Sequence, residues 1–184
     1  MRPFSALQRC ALVFLLCAGL TACTGIPSGL NAVRDFAVDR YLGIWYEAAR
    51  LDHAFERGLS DVSATYTRQA DGSLRVVSRG YDAERGRWKE AVGRAKFTGD
   101  VDTASLKVSF FGPFYGGYHV VDLDPDYRWA IVAGPSRDYL WLLTRDRQPP
   151  AALVDALIEK AARLGFPTGR LIRVEHRHGD RPAQ

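Results

Sequence analysis

The chain has 184 residues, 47% hydrophobic and 25% charged, which is the balance of one globular domain able to bury a real core. Its net charge of +4 comes mostly from arginines scattered among carboxylates. No basic stripe with interleaved aromatics forms, which excludes a nucleic-acid surface.

Residues 1–22 read as a signal peptide. Arg2 and Arg9 give a positive start, and Ala11 to Leu20 is an apolar run too short to span a membrane well. Leu20-Thr21-Ala22-Cys23 then matches the lipobox of bacterial lipoproteins, with small residues before the cysteine. On that reading Cys23 carries diacylglycerol on its thiol and a third acyl chain, such as palmitate, on its amine. An ordinary secretory leader with an incidental cysteine is the alternative. Thr24 is not the Asp that marks inner-membrane retention, and the family resemblance set out below then implies the outer membrane, with the folded part expected in the periplasm. Each buried acyl methylene contributes about 0.8 kcal/mol, so three chains anchor firmly. Cys10 and Cys17 leave with the leader, and the mature domain then holds together without a disulfide.

Residues 23–35 are expected to form an acylated tether, rich in Gly, Pro and Ser, letting the domain stand ~45 Å from its anchor at ~3.5 Å per residue. The domain itself is placed at 36–176. From Trp45 onward apolar residues recur with period two. Val62 to Thr67, Leu74 to Arg79, Arg94 to Phe97, Leu106 to Phe110, Tyr118 to Leu123, Trp129 to Ala133 and Tyr139 to Arg145 read as strands, with Asp71-Gly72 as a hairpin signal. With the strand at Trp45 these make about eight, the number whose closure leaves room for side chains or one small ligand. A helix is expected over about Pro150 to Leu164, its stripe of Leu153, Val154, Leu157, Ile158, Ala161 and Leu164 packing on the barrel and not on a membrane. Leu171 to Val174 reads as a short closing strand, and residues 177–184 as a loose basic tail.

Three signatures stand in register: Gly43-Ile44-Trp45, then Leu123-Asp124-Pro125-Asp126-Tyr127, then Trp141 to Asp146. Their order and spacing resemble the lipocalins. The runs Arg50 to Gly58 and Phe110 to Tyr118 look like those of the bacterial outer-membrane members. The resemblance implies an all-β, eight-stranded, antiparallel up-and-down barrel with one C-terminal α-helix packed outside. It implies structural roles for Gly43, Trp45, Asp126, Tyr127 and Arg145, with Arg145 crossing the Trp45 ring. It also implies a preference for lysophospholipids.

In such a barrel alternate loops share an end. The turns near Asp71, Asp100 and Asp124 close one end with Trp45 and Arg145. Loops Asp52–Ser60, Asp82–Arg87, Gly112–Gly117 and Gly134–Asp138 open the other.

No catalytic constellation, metal-ligand set or cofactor motif appears: there is no Gly-x-Ser-x-Gly elbow, no phosphate loop and no free Cys. His176 and His178 read as a solvated tail, and His53 with Glu56 lacks a third group. What remains is a cavity. Taking the apolar phase as inward, Ala64, Tyr66, Val76, Ser78, Gly93, Ala95 and Phe97 line it, with Val108, Phe110, Tyr118, Val120, Tyr139 and Trp141 opposite. Small residues leave space and aromatics give flat walls, which suits an apolar ligand better than a solid barrel. At the mouth, Phe55, Phe114 and Tyr115 suit either a membrane surface or a homodimer contact. Arg57 and Arg85 would hold a phosphate or pair with nearby carboxylates. The sequence itself shows a cavity and a cationic rim; with the resemblance these imply a fatty-acid or lysophospholipid carrier in envelope storage, transport or maintenance. An enzyme acting on a lipophilic substrate, or an envelope interaction protein with an empty barrel, are the alternatives.

Overall fold

The computed structural model describes residues 24–179. The expected signal peptide, Cys23 and residues 180–184 lie outside that range. A four-residue helix α1 (Val38–Tyr41) precedes strand β1 (Gly43–Leu51). Then follow β2 (Leu59–Arg68), β3 (Leu74–Asp82), β4 (Arg87–Phe97), β5 (Ser105–Phe111), β6 (Phe114–Leu123), β7 (Trp129–Ala133) and β8 (Leu140–Thr144). Neighbours pair antiparallel in sequence order, and β1 closes the ring by pairing with both β2 and β8. Helix α2 (Ala151–Arg163) follows, and β9 (Leu171–Arg173) pairs with the outer end of β1.

Two apolar layers hold this together. Inside the closed end, Phe36, Tyr41, Trp45, Leu74, Leu106, Tyr127 and their neighbours pack as one cluster. Outside, Val154, Leu157 and Ala161 of α2 are buried, and the last two pack with Ala49, Ile131, Leu140 and Leu142 of the barrel wall. The apolar stripe of α2 therefore faces protein. At the base Trp45 is fully buried and donates its Nε1–H to the Tyr41 carbonyl (2.8 Å). The Arg145 guanidinium sits 3.9 Å from the Trp45 ring centroid and donates to the carbonyls of Arg40, Leu42 and Ile44. Gly43 has φ +91°, a backbone conformation that side chains with a Cβ rarely adopt, so the turn into β1 favours a glycine.

Four expectations need correction. Residues 24–35 are not a free tether: Ile26 and Leu30 join the outer apolar layer. Val33 donates its N–H to the Val120 carbonyl and accepts from Ala104 (both 2.9 Å). Its Gly, Pro and Ser content hides four apolar anchors, Ile26, Leu30, Val33 and Phe36, at three- to four-residue spacing. The loop Gly112–Gly117 is mostly strand, since β6 begins at Phe114 and only Gly112-Pro113 turns. Tyr127 adopts φ +59° in its turn, but the carboxylate that holds this turn is Asp124, accepting from the N–H groups of Asp126 and Arg128, while Asp126 is exposed. The tail is not loose at its start. His178 stacks on Tyr81 (3.8 Å between centroids) and its Nδ1 lies 2.9 Å from a carboxylate oxygen of buried Asp61.

Candidate ligand-binding cavity

The inner faces of the strands enclose a cavity of about 820 Å³, open at the end opposite Trp45. Ala64, Tyr66, Val76, Ser78, Val108, Phe110, Tyr118, Tyr139 and Trp141 line it. The cross-strand row Ala64–Ser78–Ala91 explains the space, because three small side chains face inward side by side.

Four other expected residues sit elsewhere. Ala95 and Val120 are fully buried in the basal cluster below the cavity, and Phe97 packs against that cluster with its ring 6.4 Å from Phe36. Gly93 is pressed by Phe110 and the Ser109 carbonyl, each under 3 Å from where a Cβ would stand. The base is thicker than the alternation alone implies, because Phe36 and α1 fold in beneath it.

The floor is a chain of phenols. Tyr118 Oη lies 2.7 Å from Tyr41 Oη and 2.8 Å from Tyr66 Oη. Burial raises the pKa of all three, so the floor carries hydroxyl groups and no charge.

One wall is ionic, and the sequence reading missed it. A bulge between Glu47 and Ala49 in β1 shifts the alternation, bringing Glu47 and Arg50 to one face with Arg50 Nη1 donating to Glu47 Oε2 (3.2 Å). Arg50 also donates to the carbonyls of Glu56 and Leu59, folding loop 52–58 inward. Glu56 then accepts from Trp141 Nε1 (3.1 Å) and meets His53 Nε2 at 3.0 Å. Burial and the neighbouring Glu56 push the pKa of the Glu47 carboxyl well above the usual range, against the pull of Arg50. Burial also works against ionised Glu56, but His53, Trp141 and Arg50 overcome it and hold its pKa below the ordinary value. Glu47 was legible, since it shares the inward phase of Trp45. Glu56 was not, because only the loop's fold brings it inside.

At the mouth the arginines are paired. Arg57 Nε donates to Asp52 (2.9 Å), and Arg85 Nη1 donates to Asp82 (2.9 Å), which also accepts from Lys89 (2.8 Å). Those donors hold the Asp82 carboxylate well below its ordinary pKa. The mouth aromatics face water: Phe55 is 59% exposed, Phe114 73% and Phe111, not singled out in the sequence, 79%. Tyr115 is half-buried, with Lys107 over its ring at 5.2 Å. Among the described residues no three His, Cys, Asp or Glu converge to hold a metal ion.

The geometry is an open-ended cavity lined by apolar side chains, with hydroxyl groups at its floor and charged groups on one wall. The lipocalin-like domain family matches residues 36–176, the whole barrel and its helix. The chain belongs to the lipocalins. This lipocalin is 46% identical over 173 residues to the outer membrane lipoprotein Blc of Citrobacter freundii, covering 94% of this chain and 96% of the relative. It is 48% identical over 167 residues to the protein of that name from Vibrio cholerae, covering 90% and 98%. Temperature-induced lipocalin-1 of Arabidopsis thaliana is 34% identical over 151 residues, 77% of this chain and 80% of that one. Among solved structures, insecticyanin from Manduca sexta aligns over 83% of this chain and 87% of its own, with TM-score 0.65 at 16% identity, a likeness of fold alone.

Proposed function

We propose that this lipocalin is an outer-membrane lipoprotein, acylated on Cys23, that carries a fatty acid or lysophospholipid in its barrel for lipid storage or transport in envelope maintenance. The observation that carries the reading is the cavity: about 820 Å³, floored by uncharged phenols, with apolar side chains over much of its wall and charged groups confined to one side and the mouth. Such a volume lies within the usual range for small-molecule sites, about 300–1,000 Å³. A single acyl chain fits the apolar depth, and a head group reaches water at the mouth. The names of the bacterial relatives support the outer membrane and the lipoprotein anchor.

Glu47 and Glu56, whose pKa values are pushed in opposite directions at one wall of the cavity, keep a second reading in view, an enzyme using these two carboxyls as acid and base on a lipophilic substrate. One experiment separates the two. Lipid extracted from the purified full chain is identified by mass spectrometry, and the same lipid is then incubated with the protein. A carrier releases a single-chain lipid unchanged; turnover of that lipid favours the enzyme, and an empty barrel defeats both.

A further inference from the structure

The exposed aromatics of the mouth lie on one rim. Phe111 and Phe114 are cross-strand partners at the tip of the β5–β6 hairpin, with only Gly112-Pro113 between them. Phe55 stands on the β1–β2 loop at the same open end, stacked on His53 (3.9 Å between centroids). The closed end differs. Val101 is the exposed large hydrophobic residue of its turns, among the exposed Asp71, Asp100, Asp102 and Asp126.

The path of the N-terminal segment says what covers the rim. Thr24 lies against Gly117 in β6, its carbonyl oxygen 3.1 Å from where a Gly117 Cβ would stand. The chain then descends beside β6, pairing with Val120 through Val33 and with Asp102 through Phe36, to reach the base. It therefore starts on the wall of the barrel, beside the mouth half of β6. Gly117 is three residues from Phe114, about 10 Å at ~3.3 Å per residue. Cys23 is one peptide unit from Thr24, ~3.8 Å between Cα atoms. Because residues 26–36 are packed on the barrel, they supply no slack between the anchor and the rim.

We infer that the rim bearing Phe55, Phe111 and Phe114 docks on the phospholipid surface in which the Cys23 acyl chains are seated, so that the cavity opens directly onto the membrane. The inference rests on the acylation of Cys23 and deepens the carrier reading. It names the route by which a lipid enters: up from the membrane surface and into the barrel, without crossing water. A second copy of the chain would also cover the aromatics. The anchor decides for the membrane, since acyl chains on Cys23, the residue before Thr24, hold the chain at the lipid surface at every protein concentration.

The test uses matched probes. Gly112 at the rim and Gly99 at the base each have open space where a Cβ would go. Gly112→Cys and Gly99→Cys in the acylated full chain are each labelled with a bimane. They are then reconstituted in phosphatidylethanolamine–phosphatidylglycerol vesicles containing nitroxide-labelled lipid. Docking predicts strong quenching at position 112 and little at 99. Equal quenching at both, stronger quenching at 99, or none at either overturns it. Shielding of the 112 probe in detergent that grows with protein concentration assigns the rim to a second copy and likewise overturns it.

A second variant works without the anchor. In the Cys23→Ala chain, changing Phe111 and Phe114 together to Ser should weaken binding to the same vesicles at least tenfold, or about 1.4 kcal/mol. Unchanged binding contradicts the docking. Failure of the acylation reading shows separately: wild type would float with vesicles no better than Cys23→Ala, while the serine comparison still decides the rim.

Discussion

The two ends of this barrel are built on opposite plans. The base spends its aromatic residues inward: Phe36, Tyr41, Trp45 and Tyr127 are buried together, and Arg145 seals them by donating to four backbone carbonyls. The mouth turns Phe55, Phe111 and Phe114 outward and leaves Ala64, Ser78 and Ala91 to line an open space. Close packing makes the base intolerant of any change in volume. The mouth gives up that stabilisation to keep room for a ligand. The same residue types therefore mean stability at one end and binding at the other.

The largest effect should come from the base. Trp45→Ala should lower stability by about 3–5 kcal/mol, as for other buried aromatics. Arg145→Ala should lower it by about 1–3 kcal/mol, because the carbonyls it satisfies lose their donors. Denaturant midpoints at constant slope check both. Equal midpoints to wild type would remove the base as the stability centre.

A matched pair then sharpens the contrast. Tryptophan at Ala95 enters the packed base, and overpacking should cost about 1–3 kcal/mol. Tryptophan at Ser78 enters the cavity, so its cost should stay below ~1 kcal/mol. Equal losses would mean that the barrel is solid at both levels.

The smallest expected effect concerns Glu47. Its folded-state pKa lies above its unfolded value, so its contribution to stability is full below the unfolded pKa, about 4.3 for an ordinary Glu, and is lost as pH rises through the folded value. Glu47→Gln keeps a neutral hydrogen-bonding group and removes that loss. The difference in midpoint between variant and wild type should shift in favour of the variant from pH ~4 to neutrality. Asp61, Asp71 and Asp124, whose pKa values are depressed, titrate in both proteins and cancel in the difference. A difference independent of pH would show that folding leaves the Glu47 pKa unshifted, and a shift in favour of wild type would show that folding lowers it.

The barrel was legible because half-buried strands write their alternation directly into the chain, and because Gly43, Trp45 and Arg145 stand where a closed base needs them. The walls were legible for the same reason, as Ser78, Val108 and Trp141 show. The depth of the cavity was not. Alternation tells which face a side chain takes but not how far another segment rises beneath it, so Ala95 and Val120 were read as lining although α1 and Phe36 cover them. The ionic wall needed the bulge after Glu47 and the inward fold of loop 52–58, and one is a register shift while the other is a tertiary contact. The packed N-terminal segment was hidden for a compositional reason: its apolar anchors are outnumbered by Gly, Pro, Ser and polar residues.

The central claim is that a single-chain lipid occupies the space beside Ser78. Calorimetric titration of lysophosphatidylethanolamine into wild type and Ser78→Trp tests it most directly. The account predicts wild-type saturation at one lipid per barrel and an affinity at least tenfold weaker in the variant, about 1.4 kcal/mol, with the fold intact. An unchanged affinity in a folded Ser78→Trp would place the lipid outside the cavity and contradict the account.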